Sequence, residues 1–264
     1  MIPMIASILF WIAAFISFFP LIISIIKTPT QKDKKSLPLS IKIMQVHLML
    51  AFLFQMGLVA LYFLKINYSY LFHLYIVEEF VMDMLFYREL LKKTHPFKDK
   101  PIKQNIFLVG IVLFIAFAII NALLISSINK FPMYLFIVQC IVMIICTLQY
   151  HTTVTRSATK HYYVLGYGGN LSNSYTAIPA FNLQESPVFW MNKGKLLYFS
   201  ISLPIFILYN LALDIRVKEI IMLAWSIQNV TLIVLHIFMG IGFLKYKSNP
   251  TDVTDMEQKL NKQL

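Results

Sequence analysis

Three carboxyl groups stand in this sequence where carboxyl groups are costly to keep. The stretch Val77–Glu89, VEEFVMDMLFYRE, places Glu78, Glu79 and Asp83 inside an apolar segment. INYSYLFHLYIV precedes it, and Arg88, Lys92 and Lys93 arrive at its end. A charged side chain at mid-bilayer costs at least about 2.5–3.5 kcal/mol on insertion scales, so such residues face a bundle interior and mark proton, ion or ligand sites. At 100° per residue, Glu79 and Asp83 share a helix face with Tyr75 and Phe86 nearby, while Glu78 lies about 100° round. Counting from the nearest inner charge puts His47 at the depth of Asp83, and His236 or Gln55 near the depth of Glu79. Contacts of His47 with Asp83, and of Glu79 with His236 or Gln55, are therefore the expectation, with Glu78 pointing elsewhere in a structural role. Asn121, Asn210, Gln228 and Asn229 lie toward the opposite end and would line a polar pocket opening outward over the acids. Interhelical hydrogen bonds, averaging about 0.6 kcal/mol, account equally well for these amides.

The chemistry open to these groups is narrow. His47, His73, His95, His151, His161 and His236 are solitary. None forms the His-x-x-x-His pair by which ceramidase-type intramembrane hydrolases hold zinc. The Glu78-Glu79 pair is followed by Asp83 where the membrane prenyl-protease pattern has Arg. No lysine stands midway in Leu223–Leu244 to hold retinal. The run GYGGN from Gly166 to Asn170 lacks both the Lys-Ser/Thr ending and the preceding strand of a phosphate-binding loop. Cys140 and Cys146, six apart on one helix, cannot bridge one another and read as core. No catalytic residue, metal site or cofactor is expected. The alternative kept open is a transporter, or a metal-dependent intramembrane hydrolase, using the carboxyls of helix 3.

The elements that must position these groups are membrane helices. Of 264 residues, 58% are apolar and only 13% charged, against about 25% charged in soluble domains; mean hydropathy is +0.70. The fold class is all-α, a polytopic integral membrane protein. Seven segments approach the roughly 20 apolar residues a spanning helix needs: about 3–26, 42–64, 68–88, 105–128, 132–151, 195–213 and 219–244. The first has no charged leader region or cleavage site and should remain as a helix. The third is the least apolar, yet the charge distribution requires it. With the N-terminus out, the C-terminus in and seven spans, only Lys65, Lys130, Arg216 and Lys218 of the 23 basic residues face outward. Lys195, where the inner connection His151–Lys195 meets the sixth segment, is counted inner with Arg156, Lys160 and Lys193. Dropping helix 3 would move Lys92–Lys103 to the side of Lys65 and destroy that bias.

The formal charge of +11 thus serves topology and anionic headgroups, and nucleic acid is not an expected partner. Trp190 falls at interfacial depth, and Pro204 is expected to kink helix 6 as a conformational hinge. The tail 248–264 carries a capping box, Thr254 with Glu257, and a stripe of Met256, Leu260 and Leu264. It reads either as a frayed end or as a docking helix for a cytoplasmic partner.

Three stretches carry a family resemblance: VEEFVMDMLFYRELL (Val77–Leu91), SPVFWMNKGKLLYFSISLPIFILYN (Ser186–Asn210) and AWSIQNVTLIVLHIFMGIGFLKYK (Ala224–Lys247). The chain resembles small seven-helix membrane proteins of Bacteroidetes-type bacteria, which are similar to the sensory half of two-component histidine kinases. Their helix 3 pattern, Glu-x-x-x-Leu-x-x-Phe-Tyr, is met by Glu79, Phe86 and Tyr87, with Asp83 in place of Leu. Their helix 6 pattern is met by Pro187, Phe189, Trp190, Gly194, Tyr198, Phe199 and Ser200, with Leu196 one residue early. Their Trp-x-x-His-Asn pattern becomes Trp225, Gln228 and Asn229, with Gln for His. The resemblance implies a non-catalytic sensory or accessory signalling protein of the bacterial cytoplasmic membrane. It would detect a small ligand, a proton or the membrane state through Glu78, Glu79, Asp83, His47, His236, Asn210, Gln228 and Asn229. The implied partners are the lipid bilayer, a cytoplasmic histidine kinase and a second copy in a homodimer.

Overall fold

Long apolar runs leave the backbone one way to satisfy its hydrogen bonds in lipid, and the described residues take it. The computed structural model describes residues 2–27, 38–67, 69–92, 101–125, 131–167, 186–214 and 217–246. Among them are seven α-helices: α1 (Ile2–Lys27), α2 (Leu39–Phe63), α3 (Ser69–Leu91), α4 (Pro101–Ile120), α5 (Met133–Tyr167), α6 (Pro187–Asp214) and α7 (Lys218–Lys245). A π-helical turn, Asn121–Ile125, ends α4. Six helices are long and apolar enough to cross a membrane, and the chain is a multi-pass membrane protein in contact with lipid. The helix outside that set is α3, whose mid-run acids lower its hydropathy.

Two helices depart from the expected bounds around the connection 152–194. α5 continues to Tyr167 and α6 already starts at Pro187. The expected limits followed hydropathy, which marks where lipid contact ends rather than where the helix ends. No Pro or Gly interrupts the chain from His151 until Gly166. At the other end Ser186-Pro187 is a start signal, since proline at the first helical position loses no intrahelical bond. The earlier start of α6 moves Trp190, Asn192 and Lys195 out of the supposed loop and into a helix. The C-terminus of α2 closes without glycine: Lys65 takes φ 56°, and the Lys65 and Ile66 amides donate to the Tyr62 and Leu61 carbonyls, a Schellman closure. Asn173 and the whole tail, with its Met256–Leu264 stripe, lie outside the described residues.

The packing order is a ring. α1 lies between α2 and α7, α7 continues to α6, α6 to α5, α5 to α3 and α3 back to α2, with α4 laid on the far side of α3. Outward faces carry Phe15, Ile26, Leu53, Val112, Leu124 and Leu208, all exposed as lipid-facing residues should be. Inward lie Met44, Phe80, Phe86, Leu135, Met143, Met191, Phe199 and Phe243. The Phe80 and Phe114 rings stack at 3.7 Å to join α3 to α4. Small residues set the closest approach of α6 to α7: a Cβ on Gly194 would stand 2.6 Å from Phe238 Cβ, and one on Gly242 2.9 Å from the Pro187 carbonyl oxygen. Pro204 lies in a continuous α6 on its exposed face.

Candidate functional site

The ring puts α3 in contact with α2, α4 and α5, so every turn of α3 that carries a polar side chain can find a partner on another helix. Tyr75, Glu79, Asp83 and Tyr87 recur every fourth residue, one inward stripe. At 1.5 Å per residue the stripe covers about 18 Å along the helix. Three of its four members find a partner on α5 or α6. Glu79, 2% exposed, accepts a 2.7 Å hydrogen bond from Gln139 Nε2 on α5. Asp83 forms an ion pair with Lys195 on α6, both side chains being almost fully buried. The Tyr87 hydroxyl donates to Asn192 Oδ1 on α6, and Asn192 Nδ2 donates to the Thr147 carbonyl on α5 at 3.3 Å. The Lys195 ammonium also lies 5.2 Å from the centre of the Phe86 ring. Glu78 leaves the stripe and turns to α2, where it meets His47 Nδ1 at 3.0 Å.

These partners differ from the expected ones. His47 pairs with Glu78 rather than Asp83, and Glu79 meets Gln139 rather than His236 or Gln55. Depth counting aligned the residues along the bundle axis, but it carried no information on which side of α3 each neighbour stands. His47 on α2 can reach only the α2-facing side of α3, and that side holds Glu78. His236 Nδ1 donates to its own helix, at the Leu232 carbonyl, 2.7 Å away; it is buried and faces His47. Lys195, Gln139 and Asn192 escaped notice in the sequence. Lys195 was placed in a loop because polar residues flank it, and Gln139 and Asn192 are single amides without a spacing pattern. Lys195 therefore does not belong with the loop charges from which the orientation was argued.

Above this stripe a cavity of about 80 Å³ opens in the half of the ring holding the start of α1. Its walls are chiefly aromatic, with Phe54, Phe72, Phe131, Phe206 and Trp225 among them, and its polar groups are Gln55, Tyr75, Tyr198, Gln228 and Asn229. Gln228 is fully engaged: its Oε1 accepts from Ser202 Oγ at 2.8 Å and its Nε2 donates to the Tyr198 hydroxyl at 3.1 Å. Gln55 Oε1 is buried without a partner. Of the four amides expected in the pocket, Gln228 and Asn229 line it. Asn121 is buried at the π-helical turn and Asn210 is half-buried on α6, and neither lines the cavity.

The cavity and the stripe adjoin at Tyr75 and Tyr198, which line the one and face Glu79 of the other. The arrangement can bind a small molecule or water against amides and phenols and hold charge or a proton directly below it. A catalytic zinc uses three protein ligands. Among the described residues no three His, Cys, Asp or Glu side chains converge in that way. Comparisons with protein-family models, with curated proteins and with solved structures find no match to this chain.

Proposed function

We propose that this chain is a non-catalytic sensory or accessory signalling protein of the bacterial cytoplasmic membrane. It spans seven times with the N-terminus out and the C-terminus in, and it passes its state to a cytoplasmic partner such as a histidine kinase. One observation carries the reading: the cavity at one end of the ring rests on a buried polar stripe tied to α6 through Lys195 and Asn192. An occupant of the cavity that prefers one arrangement of Tyr75 and Tyr198 biases α3 against α6, and differential affinity of that kind is what a sensor requires. Pro204, lacking a backbone donor, is the point at which α6 bends. The inner loops and the tail around Met256–Leu264 then present the change. The resemblance of α3, α6 and α7 to sensory halves of two-component systems supports the same reading.

Two experiments test it. Reporter fusions after residues 66, 97, 128, 180 and 216 should alternate out, in, out, in, out, and equal reporter activity at 66 and 97 would remove α3 as a span. A histidine kinase expressed with the chain should co-purify with it, and deleting residues 250–264 should abolish capture. Unchanged capture after the deletion would remove the relay through the tail.

A further inference from the structure

Among the three mid-helix acids of α3, Glu79 is the one without a basic partner of its own. Asp83 is paired with Lys195 and Glu78 with His47. The hydrogen bonds Glu79 receives come from neutral groups, the amide of Gln139 and the hydroxyl of Tyr75. The other groups facing it are its helix neighbour Glu78, His47 on α2, Cys140 on α5, and Lys195 and Tyr198 on α6; His236 on α7 stands behind His47. Both basic groups are already engaged, His47 Nδ1 by Glu78 and Lys195 Nζ by Asp83. An ionised carboxylate buried without its own counter-charge is costly to maintain in a protein interior, and more so at membrane depth. A proton removes that charge, provided the new O–H finds an acceptor.

That acceptor is present. Gln139 is fully buried, and its Oε1 has no hydrogen-bond partner although its Nε2 is bound to Glu79. Rotating the amide by half a turn exchanges Nε2 for Oε1 in front of the carboxyl. The amide is thus a donor to the carboxylate and, once turned, an acceptor for the acid. The cavity supplies the route. Tyr75 and Tyr198 line its wall and face Glu79. The Tyr198 oxygen already accepts from Gln228, which leaves its own O–H to donate.

We propose that Glu79 is a proton-binding site loaded from cavity water. A phenol oxygen of Tyr75 or Tyr198 takes a proton from hydronium in the cavity as that phenol's own proton passes to the carboxylate, so that one proton moves inward and each tyrosine ends neutral. Gln139 turns to receive the new O–H, which changes the link between α3 and α5. The inference deepens the sensory reading by naming the stimulus as the proton; it rests on that reading for its purpose and not for its chemistry.

Infrared spectroscopy of the full chain in lipid nanodiscs tests it through the C=O band of protonated carboxyls. The wild type should show a buried carboxylic-acid band that grows as the pH is lowered and shifts in D2O. Glu79→Gln should abolish it and Glu78→Gln should retain it. A band that survives Glu79→Gln, or a wild type without one at any pH where it remains folded, overturns the proposal. If Glu79→Gln does not fold, Gln139→Leu serves instead: removing the acceptor must shift the band, and an unshifted band is equally fatal. Tyr75→Phe with Tyr198→Phe should slow exchange of that proton with D2O by about a hundredfold or more, the range that positioned proton-transfer groups contribute; unchanged exchange overturns the route. Kinase capture is a separate readout, so its failure leaves the band intact, and loss of the band leaves capture intact.

Discussion

Replacing Lys195 with methionine should destabilise the folded bundle by about 3–5 kcal/mol, the range found when one partner of a buried ion pair is removed. Lys195 and Asp83 are 2% and 1% exposed as side chains, so water cannot take over the role of the lost ammonium. Methionine keeps much of the volume and the contact with Phe86, so packing contributes little to the loss. The double variant Asp83→Asn with Lys195→Met should recover most of it, because the charge that was left unpaired is then absent as well. The midpoint of unfolding in mixed micelles of increasing SDS fraction reads both effects. A single variant as stable as the wild type would mean that Asp83 is neutral in the folded chain, and the pairing of α3 with α6 would lose its main support.

The second large effect is steric. Gly242→Ala should cost about 1–3 kcal/mol, the usual penalty for forcing atoms into a packed core. The new Cβ would stand 2.7 Å from Met191 Cγ and 2.9 Å from the Pro187 carbonyl oxygen. A side chain can move aside, but that carbonyl belongs to the first turn of α6, so the helices themselves must separate. Gly110→Ala is the control. Its Cβ would meet only the Met84 terminal methyl, at 2.7 Å. That flexible end can rotate away, so the change should stay within about 1 kcal/mol. Equal losses at the two glycines in the same SDS titration would show that the α6–α7 crossing is not held at this distance. Because α6 carries Tyr198 and α7 carries Gln228, a wider crossing should also loosen the bond between them at the cavity wall.

Much of this molecule was legible in its residues because membrane solvation imposes local rules. An apolar run of about 20 residues must be a helix, whatever its neighbours, since no water is present to satisfy its backbone. Carboxyls inside such a run must turn away from lipid, which singled out Glu78, Glu79 and Asp83. Spacing by four put Tyr75, Glu79 and Asp83 on one face, and the structure extends that stripe by one turn to Tyr87. Gln228 and Asn229 were likewise identifiable as pocket groups, being polar in an apolar run at the cavity end of α7.

The partners were not legible, and Lys195 shows why. In the sequence it stands beside Asn192, Lys193 and Gly194, so its composition is that of a loop. It is buried because α6 starts eight residues earlier than hydropathy suggests and turns this one lysine toward α3. His47 shows the same limit, since its depth fits two acids and only the position of α2 in the ring assigns it to Glu78. Periodicity along one helix fixes which residues share a face, and hydropathy fixes that a face is buried. Which helix meets that face follows from the order of packing around the ring, a sum of contacts spread over the whole chain. The residues alone place three acids within an apolar helix of a membrane protein. Helix packing gives two of them a basic partner and sets an amide against Glu79, and on that difference the chemistry of the site turns.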